Sequence, residues 1–149
     1  MFCTIVFMGC LTAAALSDIR THLVADLIWY VSALDILTMM IFRGSGISPG
    51  NLMEALLVII IQEQVMSRYY GRADSHAFSC CALYMAVVWD CLESHVLHMS
   101  LSLLLLTLVQ LLKHNICRGM KLKEPAPFIP YILLGFMAVL AVHGLKFSD

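Results

Sequence analysis

The chain has 149 residues, 61% of them hydrophobic and only 13% charged, with a mean hydropathy of +0.89. Soluble domains carry about 45–50% apolar and about 25% charged residues, so a water-soluble globule is excluded and an integral membrane protein is expected. A formal net charge of −1 supplies no basic face, which excludes a nucleic-acid partner.

Six apolar stretches follow one another, at about Phe2–Ser17, Leu27–Phe42, Leu52–Met66, Ala77–Leu92, Val96–Leu112 and Phe128–Leu145. They predict an all-α, polytopic membrane protein of about six transmembrane helices, with residues 1–149 forming a single domain. Several stretches fall short of the ~20 residues that span the hydrocarbon, so flanking polar groups must reach the membrane edge. Membrane lipid is therefore an expected partner. The first stretch ends in a cleavage-like Ala13-Ala14-Ala15, but its positive charge, Arg20, lies behind it rather than in front. It reads as a retained first span. The cluster Gly44-Ser-Gly-Ile-Ser-Pro-Gly50 is a turn that ends the second span. The six cysteines form no C-x-x-C pair and mostly sit within apolar runs, as small hydrophobes do.

Lys and Arg set the orientation. Arg20, Arg68, Arg72, Lys113, Arg118, Lys121 and Lys123 fall in the first, third and fifth connections; Arg43 and Lys146 do not. Seven charges against two put those connections on the cytoplasmic side and both termini outside. The basic group from Lys113 to Lys123 reads as a membrane anchor.

That orientation places two carboxylates together. Asp18 follows the first apolar stretch, and Asp74 lies in the polar island Arg68-Tyr-Tyr-Gly-Arg-Ala-Asp74-Ser-His76, ahead of the fourth. A carboxyl pair at one membrane edge can hydrolyse a peptide bond: one ionised group takes a proton from water, and the other, protonated, polarises the carbonyl. Close carboxyls cannot both ionise easily, so they share a proton and titrate as one unit. Dipole reasoning nominates Asp74, near a helix N-terminus, as base and Asp18, near a C-terminus, as acid. The more deeply placed acids Asp35, Glu54, Glu63 and Asp90 support a rival, an ion or proton transporter.

The residues around both aspartates resemble the type IV prepilin peptidases, membrane aspartic proteases marked by G-x-G-D. Asp18-Ile-Arg20-Thr-His-Leu-Val24-Ala25-Asp26 resembles D-x-R-x-x-x-I-P-N, and Gly71-Arg-Ala73-Asp74-Ser-His76-Ala77 resembles G-x-G-D-V-K-L. Pro127-Phe-Ile-Pro130 resembles a proline-bearing stretch before the family's last span. Ala73, Ala25, Asp26 and His76 replace the family's glycine, proline, asparagine and lysine.

The resemblance implies an aspartic endopeptidase of the bacterial cytoplasmic membrane, serving type IV pilus assembly or protein secretion. Asp18 and Asp74 would be catalytic, and Gly71, Ala73, His76, Arg20, Pro127 and Pro130 supporting. Its substrates would be prepilin-like precursors, cut at the cytoplasmic face without a cofactor or metal. Asp26 and Glu124 are candidates for meeting the charges of the basic leader. No segment of the size of the family's zinc-binding methyltransferase insert is present between the first spans, so the chain resembles the short form. A catalytically silent subunit of a pilus or secretion machine is the other alternative, favoured by Ala73 and His76.

Two further constellations carry less. Asp90-Cys91-x-Glu93-x-His95-x-x-His98 gathers metal-capable groups but reads as interfacial polar residues, on the face away from the aspartates. Gly44-Ser45-Gly46 suggests a serine site, but Arg43 stands where glycine is needed.

Overall fold

The computed structural model describes residues 2–43, 46–69, 71–116 and 127–146. Among them six α-helices occur and no strand: α1 (Phe2–Thr21), α2 (Asp26–Arg43), α3 (Pro49–Gln64), α4 (Arg72–Tyr84), α5 (Glu93–Ile116) and α6 (Ile129–Lys146). Each overlaps one of the six apolar stretches, so the all-α expectation holds. Two segments of these helices, Cys3–Thr21 and Glu93–Lys113, are long and apolar enough to cross a membrane; Ile129–His143 is a shorter apolar helix.

The helix ends follow local chemistry. Pro49 opens α3, where a missing N–H costs nothing. The helical path of α4 continues as a π-helical segment, Met85–Trp89. Asp90 then stops it in the left-handed region, at φ 52°, a conformation aspartate tolerates better than most residues. Its carboxylate accepts the Ser48 N–H at 3.1 Å and an Asn51 side-chain N–H at 2.8 Å, which pins the start of α3.

The bundle is built around α4. Ser75, Ala77, Phe78, Ser79, Cys81, Ala82 and Tyr84 are all buried, so this helix is covered on every side. Around it pack α2, α3, α5 and α6. Tyr84 joins it to α1, stacking on Phe7 with centroids 4.5 Å apart and donating to Thr4 Oγ1 at 2.8 Å. The outer helices instead expose large apolar side chains, among them Ile5, Leu34, Leu57, Leu104 and Met137. An inward-covered centre with an apolar outer shell is what a bundle in contact with lipid presents.

Close approach of α5 and α6 depends on Gly135. A Cβ there would collide with Ser102 Oγ and lie 3.2 Å from His98 Cδ2. Beside it, His98 Nε2 donates to the Ile132 carbonyl at 2.9 Å. His95 and His98 are buried to 1% and 0% exposure, against the expectation of interfacial residues. The reason is their partners: Gln62 contacts His95 Nε2 at 2.9 Å, and the Phe78 ring lies against both imidazoles.

Candidate active site

Asp18 and Asp74 reach one end of the bundle from different helices. The first helix runs to Thr21, so Asp18 lies near its C-terminus as the sequence reading places it. Asp18 therefore sits in its last turn, and its side chain is buried at 8% exposure. The carboxylate lies at the N-terminus of α6, where Oδ2 accepts the Ile129 N–H at 3.1 Å. The stretch containing Pro127 and Pro130 thus delivers an amide to the first aspartate. Proline in the first turn of α6 donates no N–H of its own and suits that position.

Asp74 lies in the first turn of α4, ahead of the apolar stretch that begins at Ala77. Burial, and then the charge of Asp18, push its carboxyl from the ordinary 3.8 up to about 7. The two acids are thus coupled electrostatically across the gap between α1 and α4. Gly71 precedes the helix at φ +119°, a conformation side-chain-bearing residues avoid, and a Cβ on it would lie 3.2 Å from Asp74 Oδ2. Ala73, by contrast, is already inside α4. Helical dihedrals suit alanine, so the second glycine of the motif is not required for backbone freedom at this position.

Two features of this environment weigh against the dipole argument that makes Asp74 the base. Asp18 accepts an amide at the N-terminus of α6, whereas Asp74 is desolvated and faces a neighbouring charge. Both burial and the charge of Asp18 favour the protonated form of Asp74.

His76 is engaged elsewhere. Its Nδ1 pairs with Glu63 Oε1 at 2.9 Å, and the Ser79 hydroxyl donates to the same oxygen at 2.8 Å. Glu63, one of the more deeply placed acids, thus hydrogen-bonds across helices; its position one helical hairpin away from a histidine was the signal that could have named the partner. Asp35 and Asp90 also have local partners: the Cys3 thiol donates to Asp35 Oδ2 at 2.9 Å, and Ser48 and Asn51 bind Asp90. Glu54 is exposed.

Of the remaining expected residues, Arg20 is exposed in the last turn of α1, and Asp26 is exposed as the first residue of α2. Glu124 lies outside the described residues, as do Gly44 and Ser45 of the turn cluster. Asp26 shares a cavity of about 340 Å³ with Trp29, Tyr30, Glu63, Arg72 and His76, among others. Neither catalytic candidate lines that cavity. Among the described residues no group of three or more His, Cys, Asp or Glu is placed to hold a metal.

No protein-family model, curated protein or solved structure matches the chain.

Proposed function

We propose that this chain is a membrane aspartic endopeptidase of the type IV prepilin peptidase kind, with all six helices embedded in the bacterial cytoplasmic membrane. The observation that supports the reading is that Asp74, in the first turn of α4, feels the charge of Asp18, in the last turn of α1 and 56 positions earlier in the chain. Asp18, held by the amide of Ile129, is the base that takes a proton from the attacking water. Asp74 is the acid that polarises the scissile carbonyl and then supplies the proton for the leaving amine. The pair opens to the cytoplasmic edge, where the junction between a leader and an apolar helix would present itself. Prepilin-like precursors are the substrate class.

The test is cleavage of a panel of prepilin-like precursors by the purified protein. Asp18→Asn and Asp74→Asn should each lower the rate at least about 100-fold, the usual contribution of a general acid or base. A second reading, a non-catalytic subunit of a pilus or secretion machine, draws on the engagement of His76 with Glu63 at the position of the family's lysine. Absence of cleavage by the unmutated protein across the panel favours that subunit. Proton flux in liposomes, blocked by Glu63→Gln, favours a transporter instead.

A further inference from the structure

One motif of the sequence, Asp90-Cys91-x-Glu93-x-His95-x-x-His98, takes no part in the proposed reaction. Asp90 binds Ser48 and Asn51, but His95 and His98 are buried three residues apart on one face of α5. Their rings lie 5.7 Å apart, centre to centre. Each is tethered through Nε2 alone: His98 to the Ile132 carbonyl and His95 to the Gln62 side-chain amide, both at 2.9 Å. Both Nδ1 atoms are buried without a hydrogen-bond partner. A buried polar atom left unpaired is costly, so two on adjacent rings point to a shared ligand.

The tethers decide what that ligand is. A carbonyl only accepts, so His98 carries its proton on Nε2 and a lone pair on Nδ1. Metal-bound histidine usually gives its other ring N–H to a carbonyl or carboxylate, as His98 does. Half a turn of the Gln62 amide presents its oxygen to His95 Nε2, which leaves a lone pair on that Nδ1 as well. The amide nitrogen then faces Ser79 Oγ, which lies 3.4 Å from Gln62 Oε1. Among the described residues no carboxylate bonds to either ring; Phe78 packs on both and Phe136 on His98. The cost of placing an ion among uncharged donors in an apolar core grows steeply with its charge, which favours a monocation over Zn(II). Cu(I) is the soft monocation that imidazole binds. A metal about 2 Å from each Nδ1 sets the ring centres about 6 Å apart when the three atoms are in line, and slightly closer when bent. The observed 5.7 Å fits a slightly bent pair.

We propose that His95 and His98 hold one Cu(I) ion between their Nδ1 atoms, in the core of the bundle beside the α5–α6 contact. The site is independent of the peptidase reading, since neither residue belongs to the carboxyl pair. Binding oxidises and reduces nothing. Two lone pairs are donated to the metal, and the His95 proton sits on Nε2 against the turned Gln62 amide.

The test titrates the full chain in maltoside micelles, without oxygen, with Cu(I) supplied as its acetonitrile complex in competition with bicinchoninate. One ion per chain should leave the chelator. X-ray absorption of that complex should show nitrogen neighbours at about 2.0 Å; a shell of sulfur at about 2.3 Å assigns the ion to cysteines and overturns the proposal. Binding to two neutral imidazoles releases no proton, whereas a thiol must lose one. Affinity should therefore stay within about threefold between about pH 6.5 and about pH 8, and a rise of about tenfold per pH unit overturns the site. Ag(I), of equal charge, should displace the copper; equal displacement by Zn(II) overturns the proposal. His95→Gln and His98→Gln should each cost more than the ~10–100-fold usual for an orienting partner, and Gln62→Leu about that much. The ion and pH comparisons use the unmutated protein, so they decide even if a variant misfolds. Retention of all the copper by bicinchoninate overturns the site and leaves a bridging water as the account of the two nitrogens.

Discussion

At the residue scale, the candidate site is a contrast between two identical side chains. Asp18 receives an amide at a helix start, and Asp74 is half-buried in the first turn of α4. Because Asp74 is raised to about 7, the folded protein binds its proton more tightly than the unfolded chain does. Stability should therefore fall as pH rises from about 4 through about 7, and the slope should flatten in Asp74→Asn. Thermal melts in detergent at the two ends of that window measure it. Cleavage should likewise decline above about pH 7, as Asp74 loses the proton it needs as the acid. Gly71→Ala should lower activity by distorting the approach to Asp74, whereas Ala73→Gly should leave it within about threefold, since only the first position carries a positive φ. In the sequence the two acids stand out as carboxylates at the ends of apolar stretches, and Gly71 through the resemblance to G-x-G-D. Which acid holds the proton was not legible there. That depends on an amide supplied from Ile129, 111 residues beyond Asp18, and no local pattern encodes it.

At the element scale, hydropathy found every helix, because long apolar runs bounded by turn residues leave few alternatives. The apolar stretch ends at Ser17, but the helix runs on through the polar residues to Thr21. In the structure Ser17 Oγ donates to the Leu23 carbonyl at 2.6 Å, securing the chain beyond the helix rather than ending it. The burial of His95 and His98 was also unreadable, because it depends on Gln62, Phe78 and Ile132 arriving from other helices. The contact at Gly135 makes a direct test of α5–α6 packing. Gly135→Ala should destabilise the protein by about 1–3 kcal/mol, the usual cost of overpacking. In a Ser102→Ala background, where the obstructing hydroxyl is gone, the same change should cost less. Melting temperatures of the four proteins complete the cycle.

For the whole molecule, the arrangement places α4 in the middle and leaves the apolar exterior to its neighbours. Orientation adds a topological expectation. Cysteine introduced at Arg20 or Arg72, both exposed, should react with an impermeant maleimide only from the cytoplasmic side; labelling from opposite sides would remove the shared site. The background cysteines among the described residues, Cys3, Cys10, Cys80, Cys81 and Cys91, are buried or half-buried.

The bond from Ile129 to Asp18 also bears on biogenesis. An aspartate made in the first helix waits for an amide made in the last, so a ribosome still translating the fifth helix has produced every charged group of the carboxyl pair but not its setting. Nascent chains would stay inert toward neighbouring precursors until insertion is finished. On the proposed peptidase reading, such timing would hold proteolysis back until the last helix is in place.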